Sequence, residues 1–212
     1  MKKEFLKEYN SLNLKEKIFN KCEKEERLKN TIIESGKYVN NSFDDLEKVH
    51  TYYLQNCNRE TYELNTDSIN IEDKWIISKM NKLIKQVTKD MENRDYSNAI
   101  EKIYDFTCKD FCSNYIGITK ARVNGKDDTE KTKTSFVLIN VYGNILKMMY
   151  PFLPDETSKI YKEMMNKPNE LMEERWPNAM ENMGYDKEEN LVQSLIDGIT
   201  DRINRKSNKT LE

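Results

Sequence analysis

Glycine is scarce in this chain, with 6 among 212 residues, and proline is scarcer, with 4. So few breakers leave little to interrupt long helices, and none of the glycines forms the Gly-rich loop that cradles phosphates. Long apolar runs are also missing. No stretch approaches the roughly 20 apolar residues of a membrane-spanning helix. Met1 to Leu6 is charged and lacks the apolar run of a secretory signal, so a cytoplasmic location is expected and no membrane contact. The sequons at Asn40-Asn41-Ser42 and Asn208-Lys209-Thr210 therefore carry no weight. Histidine is limited to His50, and the four cysteines, Cys22, Cys57, Cys108 and Cys112, are scattered. That set is too sparse for a zinc site, and reduced packing thiols are the expectation. Neither sign of charge prevails: 35 Lys and Arg face 37 Asp and Glu, a formal net charge of −2. Coating nucleic acid indiscriminately needs a large cationic excess, which this composition excludes; one local basic face remains open.

What the chain does hold is charge on amphipathic stripes. Charged residues make up 34% and the hydrophobic set 37%, a balance suited to helices that are wet on one face. Trp75, Ile76, Met80, Leu83, Ile84, Val87 and Met91 recur mostly at spacings of three and four, one stripe over about five turns. Asn93-Arg94-Asp95 breaks it. Ile100, Ile103, Tyr104, Thr107, Phe111, Tyr115 and Ile118 form a second stripe, ended by Asn124-Gly125. A third runs through Leu138, Val141, Tyr142, Ile145, Met148 and Met149 and stops at Pro151. Pro154 suits the first position of a short helix carrying Ile160, Tyr161, Met164 and Met165. Residues 166–186, with Pro168 and Trp176-Pro177, read as a connector. Leu191, Val192, Leu195, Ile196, Ile199 and Ile203 complete a final amphipathic helix. Upstream, residues 1–24 read as weak helix, 26–43 as a second helical segment, Ser42 to Leu54 as a capped short helix and 55–70 as a polar loop. No strand or internal repeat is seen, so the fold class is all-α, an antiparallel helical bundle with short links.

The same reading divides the chain into a charged N-terminal segment (1–24), a helical domain (25–206) and a disordered tail (207–212) whose Leu211-Glu212 resembles residues left ahead of an affinity tag. The carboxylate pairs Glu25-Glu26 and Glu188-Glu189 stand beside no nucleophile or base. They read as helix-start charges, and no catalytic centre is expected in this chain.

From Asp73 the sequence becomes specific. Asp73-Lys74-Trp75-Ile76-Ile77-Ser78-Lys79-Met80-Asn81 resembles the D-x-W-I-L-S-R-L-N segment that opens the anticodon-binding bundle of valyl, isoleucyl and leucyl tRNA synthetases. Asp110-Phe111-Cys112-Ser113-Asn114-Tyr115-Ile116, followed by Lys120, is similar to the D-F-C-D-W-Y-[IL] stretch of the valyl group. Tyr150-Pro151-Phe152-Leu153-Pro154 resembles H-P-F-M-P, and Trp176-Pro177 the closing W-P. Upstream, Arg27-Leu28-Lys29-Asn30 through Gly36-Lys37-Tyr38-Val39 resembles the first helix of that domain. The motifs occur in order across 73–177, which makes the class Ia synthetase anticodon-binding domain, closest to valyl, the suspected family. Departures are Thr31, Ile33, Glu34, Asn114 and Asp155-Glu156-Thr157. Lys79-Met80-Asn81-Lys82 imitates the ATP-handling K-M-S-K signature but lies mid-helix with Met80 on the core stripe.

The resemblance implies a role. The whole enzyme uses ATP to attach valine to tRNA, through an upstream catalytic domain that this chain lacks. The domain itself grips the anticodon stem-loop of tRNA, needs no cofactor or metal, and is expected to be a monomer. Unpaired bases are read by stacking and by hydrogen bonds to their edges, and phosphates by cations. Residues Arg27, Asn30, Lys37, Tyr38, Asn40 and Phe43 supply such groups, with Asn30 and Lys37 seven apart on one helix face. Lys120 and Arg122, in a basic cluster with Lys126, Lys131 and Lys133, are candidates for backbone contact, diluted by Asp127, Asp128 and Glu130. The rival reading is a diverged, free-standing helical interaction protein that no longer reads tRNA, favoured by the substituted first helix and the net negative charge.

Overall fold

The computed structural model describes residues 50, 57, 69–165, 171–179 and 185–209, with backbone alone at 165 and 203–209. Within these, six α-helices succeed one another: α1 (Ile71–Glu92), α2 (Tyr96–Asp105), α3 (Gly117–Val123), α4 (Asp128–Met149), α5 (Pro154–Met165) and α6 (Asp186–Lys209). A π-helical stretch, Phe106–Ile116, joins α2 to α3 without a break, and Leu171–Glu173 makes one 3-10 turn. No strand occurs among the described residues. The all-α bundle read from the stripes is the observed architecture.

Each boundary has a local cause. Ahead of α1, the Asn70 N–H donates to the Asp73 carboxylate (3.3 Å), while Glu72 and Asp73 in the first turn and Lys89 in the last complement the helix dipole. The break at Asn93-Arg94-Asp95 is a Schellman cap: the Asp95 N–H donates to Asp90 O (2.8 Å) and the Arg94 N–H to Met91 O (3.2 Å). Its left-handed residue is Arg94, with φ 61°, where glycine is usual. Asp95 then caps α2 by accepting from the Asn98 N–H. Asp127 caps α4 by accepting from the Thr129 and Glu130 N–H groups at 3.0 and 3.2 Å. Gly125 in the preceding turn would carry a Cβ 3.1 Å from Ala121 O and 3.2 Å from Arg122 O, a tight fit against backbone. Pro151 has no N–H to continue α4, and Pro154 opens α5.

The core forms where α1, the π-helical stretch and α4 meet. Trp75, Ile76, Phe111, Tyr115, Tyr142, Ile145 and Met148 are fully enclosed. The Phe111 ring stacks with Tyr115 (centroids 6.2 Å apart) and with Tyr142 (6.3 Å). Burying one such side chain contributes about 1.5–3 kcal/mol. The spacing of five between the buried Phe106 and Phe111 fits i→i+5 geometry, and Ser113 Oγ donates to Cys108 O across the same interval (2.7 Å). Helix α5 packs on α4, and α6 lies against α1. The connector closes the module where Trp176 Nε1 donates to Thr88 Oγ1 (2.9 Å).

One expectation differs from what is seen. The final helix continues through 207–209, where a tail was expected to begin. Its apolar arc is only half covered: Val192 is buried and Ile196 packs on the core, while Leu191, Leu195 and Ile199 are 53%, 59% and 59% exposed. The proposed N-terminal segment, the residue 26–43 helix and most of 44–68 lie outside the described residues.

Candidate nucleic-acid interface

Of the sequence-derived candidates, Arg27, Asn30, Lys37, Tyr38, Asn40 and Phe43 lie outside the described residues. The remaining two, Lys120 and Arg122, sit at the end of α3 and have opposite surroundings. Lys120 is exposed, as is Lys126 in the following turn. Arg122 is turned inward. Its NH2 group donates to Asp73 Oδ1 (2.7 Å) and its NH1 group to Asp73 Oδ2 (3.0 Å), a bidentate pair with a carboxylate that is itself fully buried. Glu72 lies 3.2 Å from the same guanidinium and Glu130 3.5 Å. Tyr115 Oη also donates to Asp73 Oδ1 (2.6 Å). Asn70 Nδ2 donates to Glu130 (2.7 Å), and Lys133 pairs with Glu130 (3.1 Å).

This network ties the start of α1, the end of the π-helical stretch, α3 and the start of α4 into one corner. Burial, with Asp73 beside it, pushes the Tyr115 phenol well above its ordinary range. The hydrogen bond from Asn70 holds Glu130 below the usual carboxylate range, against its partial burial. Arg122 thus has its charge already met by carboxylates. Of the two candidates on α3, Lys120 is the one presented to solvent. Sequence reasoning weighed Arg122 by composition and position alone, and no local signal joins it to an aspartate 49 residues upstream.

A second polar seam joins α6 to α1. Ser78 Oγ donates to Glu189 Oε2 at 2.5 Å, and Lys82 pairs with Glu189 (2.9 Å) and Asp186 (3.1 Å). Lys74 pairs with Glu188 (3.7 Å) and lies over the Tyr185 ring, 5.5 Å from its centroid. The Glu188-Glu189 pair is therefore engaged in docking a helix. Lys79 pairs with Asp110 (3.1 Å), whose carboxyl burial pushes up against the pull of Lys79. Met80 is enclosed, and both lysines of Lys79-Met80-Asn81-Lys82 are ion-paired on a regular helix, unlike a mobile phosphate loop. Burial raises the Cys57 thiol to about 11, against a hydrogen bond with Ser135, consistent with a packing role. Cys108 and Cys112 are half-buried. Among the described residues no group of three His, Cys, Asp or Glu side chains is placed to hold a metal ion. No described helix is long and apolar enough to cross a membrane.

Comparison with known proteins gives consistent results. The model of the anticodon-binding domain of tRNA ligases matches residues 73–212. The valine–tRNA ligase of Clostridium tetani is 31% identical over 150 residues, 70% of this chain and 17% of that protein. The valine–tRNA ligase of Staphylococcus haemolyticus is 28% identical over 132 residues, 62% of this chain and 15% of that protein. The chain therefore spans about a sixth of the length of these relatives. Among solved structures, the LeuRS of Agrobacterium radiobacter K84, in its ternary complex with tRNA and LeuAMS, superimposes with a TM-score of 0.52 at 19% identity. That match covers 68% of this chain and 16% of the other, and at such identity it speaks to the fold alone.

Proposed function

The chain belongs to the family of anticodon-binding domains of tRNA ligases, and from that premise we propose that it grips the anticodon stem and loop of tRNA as the helical module of a valine–tRNA ligase. The observation that carries the reading is the family match over 73–212, together with relatives that are valine–tRNA ligases. In this reading ATP use and valine transfer belong to the catalytic domain of the parent enzyme. The module works in the cytoplasm as a monomeric unit of that enzyme, without cofactor or metal of its own.

The chemistry follows from what an anticodon offers. Its bases are unpaired, so flat side chains stack on them and amides or cations bond their edges. Tyr38 and Phe43 are the stacking candidates, each worth roughly 1–3 kcal/mol per base. Arg27, Asn30, Lys37 and Asn40 supply donors for base edges and phosphates. Lys120 adds a backbone contact that positions without specifying sequence. Arg122 serves the same turn indirectly, because its pairing with Asp73 fixes the end of α3 from which Lys120 projects.

A binding titration tests this. The full chain should bind a stem-loop with a valine anticodon in a salt-sensitive way, and more tightly than one with a changed middle or third anticodon base. Lys37→Glu should weaken binding with helicity intact. Equal affinity for both loops removes the specificity. No binding even at low salt would favour the rival, an interaction protein derived from this domain.

A further inference from the structure

Along α1, Lys74, Ser78, Lys82, Lys85 and Lys89 follow at intervals of four, four, three and four, so they share one helix face. The two halves of this face are treated differently. The N-terminal half lies under the acidic start of α6, where Glu188 pairs with Lys74 and Asp186 and Glu189 pair with Lys82. The C-terminal half is open. Lys85 and Lys89 are exposed, and among the described residues neither side chain has an ion pair or hydrogen bond. Asp90, next to Lys89 in the chain, is engaged by Lys102, and Glu92, three residues beyond Lys89, is exposed. Like charges four residues apart repel, so an unpaired Lys85–Lys89 couple carries a small penalty that a bound anion removes.

We propose that this face of α1 is a phosphate-binding row for the RNA backbone, open at Lys85 and Lys89 and occupied over Lys74 and Lys82 by carboxylates of α6 that stand where phosphates would. The proposal rests on the reading of the chain as an RNA-binding module and adds a second contact region to it. The ammonium groups offer no planar fork, so they suit phosphates as point charges and carry no base specificity. The covering carboxylates are unequal. Glu189 is 9% exposed and holds Ser78, which makes it the anchor of α6. The Asp186 side chain is 73% exposed and that of Glu188 32%, so these two form the rim that competes with an incoming strand.

The test is the salt dependence of stem-loop binding, measured by fluorescence anisotropy with a valine-anticodon loop and one with an altered middle base. Lys85→Gln with Lys89→Gln keeps good helix formers at exposed positions, so far-UV circular dichroism should be unchanged. This variant should lose affinity several-fold, equally for both loops, and its log–log salt slope should shrink by about 0.7–0.9 per lysine. Asp186→Asn with Glu188→Gln should bind both loops more tightly and with a steeper slope. An unchanged slope in the lysine variant overturns the row, even if wild type prefers the valine loop and the anticodon reading stands. Equal wild-type affinity for both loops, with the slope falling as expected, keeps the row and removes the anticodon reading. Unchanged binding after removal of the Asp186 and Glu188 charges overturns the competition by α6. Absence of any low-salt binding overturns row and reading together.

Discussion

Asp73→Asn is the sharpest probe of what holds the bundle together, because the substitution keeps the shape while it replaces one acceptor oxygen with a donor and removes the charge. Four donors converge on this fully buried carboxylate. Oδ1 accepts from Tyr115 Oη (2.6 Å) and Arg122 NH2 (2.7 Å), and Oδ2 from Arg122 NH1 (3.0 Å) and the Asn70 N–H (3.3 Å). An asparagine must turn its NH2 toward one of these pairs whichever way it flips. If it faces Oδ1's partners, the tyrosine hydroxyl can rotate to accept, but the guanidinium cannot. If it faces Oδ2's partners, two N–H groups meet two more. One side of the bidentate pair is therefore lost, and the buried cation loses its closest counter-charge. Breaking a buried pair by removing one partner costs about 3–5 kcal/mol. Glu72 at 3.2 Å and Glu130 at 3.5 Å remain near Arg122, so the lower end, about 3 kcal/mol, is expected. For a domain of this size that lowers the melting temperature by roughly 10 °C. Urea and thermal denaturation followed by far-UV circular dichroism at neutral pH give both numbers. A loss below about 1 kcal/mol would show that apolar packing alone holds this corner and that the carboxylate is incidental.

Two further outcomes follow from single features. Arg94→Gly should stabilise the chain by about 1 kcal/mol, since a residue with a Cβ at φ 61° bears roughly 1–2 kcal/mol of left-handed strain, offset in part by the greater freedom of glycine when unfolded. A lower urea midpoint in that variant would contradict it. Alkaline pH should unfold the protein cooperatively. Burial, with Asp73 beside Tyr115, raises the Tyr115 phenol, and burial raises that of Tyr142. The folded state keeps protons that the unfolded chain gives up above pH ~10, so stability is whole below that pH and falls as pH rises beyond it. Tyrosinate absorbance should therefore rise in step with loss of helicity. Tyr115 and Tyr142 ionising in the intact fold would refute the assignment of their burial.

Much of the fold was legible because the stripes match helical period and the breaks carry turn chemistry. Trp75, Phe111 and Tyr115 fall on stripes at helical spacing, and all three are enclosed. Asn93-Arg94-Asp95 and Asn124-Gly125 end helices as their composition suggests. The second stripe concealed the π-helical stretch, because Thr107, Phe111 and Tyr115 follow at fours that also suit a period of 3.6, while the spacing of five from Phe106 to Phe111 lies off the stripe. The exposure of Leu191, Leu195 and Ile199 was hidden for a different reason: periodicity reports an apolar arc, not how much of it a neighbour covers. The site was less legible still. Whether Arg122 faces water or a buried aspartate depends on which helices meet, and Lys85 and Lys89 differ from Lys74 and Lys82 only through where α6 begins.

The π-helical stretch also sets which changes this region of the chain can accept. Removing a single residue between Phe106 and Ile116, with the winding otherwise kept, would turn everything downstream by about a quarter turn about its axis. Thr119 and Val123, now buried, would swing outward, and the guanidinium of Arg122 would be carried past Asp73. Lys109, whose ion pair with Asp105 is exposed on both sides, can thus change identity at little cost while the number of residues stays fixed. Length, more than composition, is the constraint on this segment, as it is for a gear whose tooth count matters more than its metal.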